Sequence, residues 1–142
     1  RMEQRLGERS DPVVMLPCPT DLDDILAPCA PGSGLISAFH LKNMRRKNLA
    51  GMLAAYRSID SEFQDLNLTI VGGGSAAEFE GACSLANGLA RVDFAGGLGR
   101  QEVRERMNRA TAFVLPSMRE TFGLVFIEAL FAGLPGVSPG PK

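Results

Sequence analysis

The sequence predicts an α/β fold in which a parallel β-sheet is covered by helices on both faces. Segments that favour strands and segments that favour helices alternate about four times along the chain, which is the pattern of parallel βαβ units. The strand segments are short and apolar throughout, as strands are when both faces of their sheet are covered. In such a sheet the loops that follow the strands share one rim, where ligands bind.

The strands are predicted from apolar runs bounded by glycine, proline or polar residues. An early run at residues 12–16 is a strand or an extended linker, and residues 1–11 before it read as the tail of a connecting segment. Four further strands are expected at residues 34–40, 67–71, 91–95 and 112–116.

Helices are expected between these strands and after the last one, at residues 49–58, 76–87, 101–109 and about 122–133. The first is the best defined, because Leu49, Met52, Leu53 and Tyr56 recur at the spacing of one helical face. These four side chains are therefore predicted to lie in the core.

Composition excludes several classes of protein. The chain of 142 residues is long enough for one domain with a real core, and its net charge of −1 argues against broad nucleic-acid binding. No run approaches the ~18 apolar residues of a membrane span, and no secretory signal is visible, so we expect a cytoplasmic domain that meets a membrane at most peripherally. The three cysteines form no CxxC pair and read as reduced thiols, with Cys83 in the core.

The strongest functional signal is a pair of glutamates in a strand–loop–helix segment. Glu120 lies in the predicted loop, and Glu128 lies about two turns into the helix that follows. The first turn of that helix presents unpaired backbone N–H groups, which favour an anion such as a phosphate. The alternative is a capping carboxylate with a second glutamate on a buried helix. A glutamate buried among apolar residues without a partner is costly, so Glu128 is expected to face a polar ligand or a cation.

A basic loop follows the strand at residues 34–40. It places Lys42, Arg45, Arg46 and Lys47 within six residues, and such cations suit a ligand that carries a diphosphate. The alternative is a solvated loop at the start of a helix.

The two glutamates, separated by seven residues and followed by the apolar stretch 129–135, resemble the E-x7-E segment of retaining glycosyltransferases of family 4, also called group 1. Those enzymes have the GT-B architecture of two Rossmann-like lobes, and this chain resembles only the C-terminal, donor-binding lobe. The resemblance covers roughly residues 12–138. We therefore expect residues 12–142 to be that lobe without the N-terminal acceptor lobe and without its last strands and helices, and residues 1–11 to be a linker.

The resemblance implies a role for each candidate residue. Glu128 is expected to bind the ribose hydroxyls of a nucleotide, and Glu120 to position the transferred sugar. Lys47 matches the lysine of the family, whereas Lys42 stands where arginine is usual and cannot make its bidentate contact. Either Arg45 or Arg46 is expected to compensate. The remaining expected donor contacts come from Gly73, Phe94, Phe122, Gly123 and Leu124.

Three of these signals have plain structural alternatives. The glycine run around Gly73 also suits a tight turn between a strand and a helix. Phe94 lies in a segment that resembles the cradle of a nucleobase but equally suits a strand end with a bulge. His40, the only histidine, is either a structural residue near the rim or a donor contact.

The function implied by the resemblance is transfer of a sugar from a nucleoside diphosphate, with UDP or GDP as the expected carrier. The anomeric configuration would be retained, and no metal or cofactor is implied. The acceptor, a glycan or a lipid-linked molecule, would bind to the missing lobe, and the chain alone is expected to be inactive. The alternatives are a non-catalytic nucleotide-sugar-binding domain, an epimerase or phosphorylase of the same architecture, and an interaction module without a ligand.

Overall fold

The computed structural model describes residues 25–29, 32, 34–120 and 123–138, and the early run at 12–16 lies outside them. A five-stranded sheet in this part of the chain has the order β3-β2-β1-β4-β5, and every neighbouring pair is parallel. The strands are β1 (Leu35–Ala38), β2 (Leu68–Val71), β3 (Val92–Gly96), β4 (Ala112–Val114) and β5 (Gly136–Val137). The predicted parallel α/β fold is confirmed.

Helices connect the successive strands. They are α1 (Leu49–Ile59), α2 (Ala76–Leu85), α3 (Arg100–Arg109) and α4 (Leu124–Phe131), and a 3-10 turn at Leu41–Asn43 precedes α1. Helix α1 contacts α2, and α3 contacts α4. The strand order reverses direction after β3, so right-handed connections place α1 and α2 on one face of the sheet and α3 and α4 on the other.

The core lies between the sheet and these helices. All four residues of the predicted inner face of α1 are buried: Leu49, Met52, Leu53 and Tyr56. Burial of an apolar side chain of this size stabilises the fold by ~1.5–3 kcal/mol. The Tyr56 hydroxyl donates to the Leu66 carbonyl at 2.5 Å, which satisfies the one polar atom of that side chain.

Cys83 on α2 is exposed, so its predicted place in the core is wrong. The buried residues on this side are Ala82 and Ala86, four positions apart and therefore on one helical face. Cys83 follows Ala82 by one position, which turns it ~100° around the helix axis and away from the sheet. A short stretch with two small inward residues contains too little periodicity to reveal this from sequence.

Candidate functional site

The loops that follow β1, β2, β3 and β4 meet at one rim of the sheet, as predicted. Backbone hydrogen bonds join them directly. The Leu41 N–H donates to the Gly73 carbonyl at 2.9 Å, and the Gly72 N–H donates to the Gly96 carbonyl at 2.8 Å. On the other side of β1, the Met118 N–H donates to the Arg46 carbonyl at 3.0 Å.

The loop after β1 carries a buried lysine. Its backbone is held by a hydrogen bond of 2.8 Å from the Lys47 N–H to the Asn43 carbonyl. The next residue, Asn48, has a φ of 56° and accepts from the Gly51 N–H at 3.3 Å through its side chain, which caps α1. Asparagine tolerates this left-handed conformation better than most residues. The chain therefore turns sharply into α1 directly after Lys47.

Lys47 and Glu120 form an ion pair across the rim, although 73 positions separate them. The Lys47 side chain is 10% exposed and the Glu120 side chain is 27% exposed. Burial acts to raise the pKa of Glu120, but hydrogen bonds from Lys47 and Ser117 and the charges of Lys47 and Arg46 outweigh it and hold that pKa below its ordinary value. A candidate from the basic loop and a candidate from the glutamate pair thus lie in contact.

Ser117 is a site residue that sequence reasoning missed. Its hydroxyl donates to Glu120 at 2.5 Å. The spacing Ser-x-x-Glu, which often marks a helix start, was the signal that could have drawn attention to it.

The other basic residues of the loop remain exposed: Lys42, Arg45 and Arg46. His40 caps the 3-10 turn, and its Nδ1 accepts from the Lys42 N–H at 3.2 Å. This contact gives the exposed histidine a structural role at the rim.

The glycine-rich turn after β2 brings two loop backbones together. A β-carbon on Gly72 would lie 1.8 Å from the Phe39 carbonyl oxygen, whereas one on Gly73 would meet only the Gly97 α-carbon, at 3.8 Å. Gly72 is therefore required for packing, and Gly73 has room on its open side. Just beyond, the hydrogen bond that Glu78 accepts from the Ser75 N–H holds the pKa of Glu78 below its ordinary value.

Phe94 lies at the end of β3, where the register with β2 shifts. Phe94 pairs with Ile70, and Gly96 rather than Ala95 pairs with Val71. The bulge expected as one alternative is therefore present, and Phe94 is partly buried against the core. A bulge of this kind redirects the strand end at the rim.

The tip of α4 begins at Gly123, which has a φ of 64° and no side-chain cap. Leu124 is the first residue of the helix, so Glu128 lies about one turn into it and not two. Phe122 lies outside the described residues. The first N–H groups of this helix therefore have no side-chain partner among the described residues.

Glu128 is half-buried on α4, and its expected contact with a polar ligand stays a prediction. Phe126 packs edge-on against Phe113 in β4, with ring centroids 5.4 Å apart. Glu128 follows two positions later, ~200° around the helix, and so points away from that contact. No described residue forms a hydrogen bond or ion pair with its carboxylate, which leaves the carboxylate available to a ligand.

Neither a metal-binding cluster nor a membrane-spanning helix is present within residues 25–29, 32, 34–120 and 123–138. No three His, Cys, Asp or Glu side chains gather closely enough to hold a metal ion. No helix there combines the length and the apolar character that a bilayer crossing requires.

These features define an α/β protein that presents cationic and acidic loops at the carboxyl edge of a parallel sheet. The chain belongs to the family described as Glycosyl transferases group 1, whose sequence model matches residues 36–139. The match spans every candidate residue named above. The fold is Rossmann-like and corresponds to one lobe of the GT-B architecture, as the resemblance implied.

Known proteins with similar sequences or structures agree with this assignment. A phosphatidyl-myo-inositol mannosyltransferase of Propionibacterium freudenreichii subsp. shermanii is 31% identical over 94 residues, which are 66% of this chain and 22% of that protein. Sucrose-phosphate synthase from Thermosynechococcus elongatus superposes with a TM-score of 0.74 at 25% identity, over 96% of this chain and 37% of that one. The pneumococcal O-GlcNAc transferase GtfA, solved in complex with UDP and GlcNAc, gives a TM-score of 0.63 at 22% identity. The superposition covers 81% of this chain and 22% of that one. The chain thus spans well under half of each of these proteins.

Proposed function

We propose that this chain is the nucleotide-sugar-binding, C-terminal lobe of a retaining glycosyltransferase. The observation that carries the proposal is the Lys47–Glu120 pair, which joins the basic loop after β1 to the acidic loop after β4 at the rim. A diphosphate and a sugar are adjacent in a nucleotide sugar, and this rim offers a cation and a carboxylate side by side.

In this proposal the cations act on the diphosphate. Lys47 has three donor positions, so it can keep its bond to Glu120 and still donate to a phosphate oxygen. Lys42 and Arg45 are exposed in the same loop and supply further positive charge. Because negative charge grows on the departing diphosphate, cations fixed at that position lower the barrier. The residues of the chain thus supply charge stabilisation without a metal ion.

The carboxylates and the tip of α4 would bind the hydroxyl-rich ends of the donor. Glu120 would position the transferred sugar and Glu128 would accept from the ribose hydroxyls. The uncapped N–H groups that follow Gly123, beginning with Leu124, would donate to the distal phosphate. Glu120 acts here by positioning the donor and not as a nucleophile, so the carboxylate separations that classify glycosidases do not apply.

The acceptor would bind to a second lobe outside this chain, and transfer would need both lobes to orient the two substrates. The related mannosyltransferase is named for phosphatidyl-myo-inositol, which supports a lipid-linked or glycan acceptor. We expect the chain alone to bind donor without transferring it, and we place the whole protein in the cytoplasm.

Calorimetric titration of the chain with UDP, GDP and ADP tests the proposal. One of the three nucleotides should bind, and Glu128→Ala should weaken that binding by roughly tenfold or more, because hydrogen bonds to a charged group are lost. Glu62→Ala is the matched control, since Glu62 is an exposed glutamate in the turn after α1. Equal affinity in wild type and Glu128→Ala would refute the role of Glu128. Failure of all three nucleotides to bind the wild type would refute the proposal that this lobe holds the carrier.

A further inference from the structure

The spacing Ser-x-x-Glu occurs twice at the rim, with different results. At the start of α2, Glu78 Oε2 accepts from the Ser75 N–H at 2.7 Å, and Ser75 Oγ accepts from the Glu78 N–H at 3.3 Å. That reciprocal arrangement is a capping box. In the loop after β4, Ser117 Oγ instead donates directly to Glu120 Oε1 at 2.5 Å. The Glu120 carboxylate therefore does not cap a helix, and it lies at the rim with Ser117 and Lys47 as its partners.

Both hydrogen bonds to Glu120 fall on the same oxygen atom. Lys47 Nζ and Ser117 Oγ both donate to Oε1, and no donor to Oε2 is present among the described residues. An ionised carboxylate can accept ~4 hydrogen bonds on its two oxygens, so Oε2 can still accept hydrogen bonds from a ligand. The last torsion of a glutamate is otherwise broad, and two donors on Oε1 restrict it.

The backbone of Ser117 is hydrogen-bonded to a residue of the core. Its N–H donates to the Leu115 carbonyl at 2.9 Å, and Leu115 is fully buried at the end of the β4 segment. The neighbouring Met118 N–H is bonded to the Arg46 carbonyl in the basic loop. The backbone at Ser117 is therefore anchored, so its side chain approaches Glu120 from a defined position.

We infer that Ser117 is a positioning residue that holds Oε1 of Glu120, so that Oε2 is presented to a hydroxyl group of the sugar in a nucleotide-sugar donor. The inference rests on the proposed function, because it assigns the sugar end of the donor to Glu120. It adds a third residue to the pair that the E-x7-E spacing identifies.

Binding measurements on the 142-residue chain test the sugar part of this inference. We would titrate wild type, Ser117→Ala and Ser117→Thr with UDP, GDP, UDP-GlcNAc and GDP-mannose. For the carrier that binds, the Kd of the free nucleotide divided by the Kd of the nucleotide sugar reports the contribution of the sugar. Ser117→Ala should lower this ratio roughly tenfold, as expected for one hydrogen bond to a charged group, without changing the Kd of the free nucleotide. Ser117→Thr retains a hydroxyl and should restore most of the ratio.

A second readout needs no ligand. Carbon-13 NMR of glutamate Cδ, with Glu120→Gln to assign the signal, follows the carboxyl titration. Loss of the Ser117 bond removes one of the contributions that lower the pKa of Glu120, beside those of Lys47 and Arg46. That pKa should therefore rise in Ser117→Ala and stay low in Ser117→Thr.

The affinity ratio and the carboxyl titration test different parts of the inference. An unchanged titration in Ser117→Ala would overturn the hold of Ser117 on Glu120. A shifted titration with an unchanged affinity ratio would overturn the presentation of Oε2 to the sugar. If the wild type binds none of the four ligands, both the proposed function and the contact of Glu120 with the sugar are refuted. The titration still decides whether Ser117 holds the carboxylate.

Discussion

Ser37 illustrates how a single polar side chain can lie in the core without a partner. It is in β1, fully buried, and its hydroxyl has no hydrogen bond with any described residue. Burial of an unpaired hydroxyl costs ~1–3 kcal/mol in proteins. Ser37→Ala should therefore leave the free energy of unfolding unchanged or raise it by about 1 kcal/mol, measured by urea denaturation.

Ser75→Ala is the matched control for that measurement. Ser75 caps α2, and replacing a capping serine with alanine lowers stability by ~0.5–2 kcal/mol. The same chemical change is thus expected to lower stability at Ser75 but not at Ser37. A loss of stability in Ser37→Ala as large as that in Ser75→Ala would mean that the Ser37 hydroxyl has a partner.

The residue scale also shows why the site could be predicted only in part. Sequence reasoning identified Lys47 and Glu120 separately, because a basic loop after a strand and a glutamate before an apolar helix are local signals. Their contact depends on the pairing of β1 with β4, which joins segments far apart in the sequence. Ser37 and Ser117 were missed because a serine carries no periodicity, and its role depends on what surrounds it in three dimensions.

At the scale of the elements, the two neighbouring glycines after β2 are predicted to differ. Gly72→Ala would place its β-carbon 1.8 Å from the backbone carbonyl of Phe39, which cannot rotate away, so the loops after β1 and β2 must separate. We expect a loss of stability of several kcal/mol, as for overpacking at a rigid site, seen as a lower urea midpoint.

Gly73→Ala is the control within the same turn. Its β-carbon would meet only one atom, at an ordinary van der Waals distance of 3.8 Å, so its stability should stay within ~1 kcal/mol of the wild type, the usual cost of a tolerated substitution. Nucleotide affinity should nevertheless fall if Gly73 lies against the donor, as proposed. Equal stability of the two variants would contradict the close approach of Gly72 to Phe39.

Elements with strong periodicity were predicted well, and weakly patterned ones were not. The inner face of α1 was identified residue by residue, because four large apolar side chains repeat at 3.6-residue spacing. Helix α4 is apolar on most sides, so its sequence did not show which side faces the sheet. Leu130 is 60% exposed there, and Glu128 is half-buried. Apolar composition alone does not orient a helix.

At the scale of the whole molecule, the alternation of strands and helices was sufficient for the fold. Parallel strands joined by right-handed connections leave few arrangements, and all of them place the loops after the strands at one rim. The general location of the candidate site was predicted from topology. Its detailed chemistry did not, because the ion pair, the bulge at Ala95 and the close approach of Gly72 arise from packing between loops.

The same rim is expected to make the whole molecule sensitive to acid. Glu78 and Glu120 both have a pKa below the ordinary value of 4.5 in the folded chain, so the unfolded chain binds protons more readily. Their contributions to stability are fully present above about pH 4.5, the ordinary glutamate value, and are lost as the pH falls through the lowered pKa values. Urea unfolding from pH 7 to pH 3 should show the midpoint falling mainly below that value.

Glu120→Gln isolates the share of the Lys47–Glu120 pair in this acid sensitivity. The variant should be less stable at pH 7, because Lys47, whose side chain is only 10% exposed, loses its anionic partner in a poorly solvated position. Its stability should then fall less steeply below pH 4.5, since residue 120 no longer takes up a proton on unfolding. Glu62→Gln controls for the removal of one carboxylate away from the rim. An equally steep decline in Glu120→Gln and wild type would show that the pair does not govern the acid response, and the site would then not be coupled to the stability of the molecule.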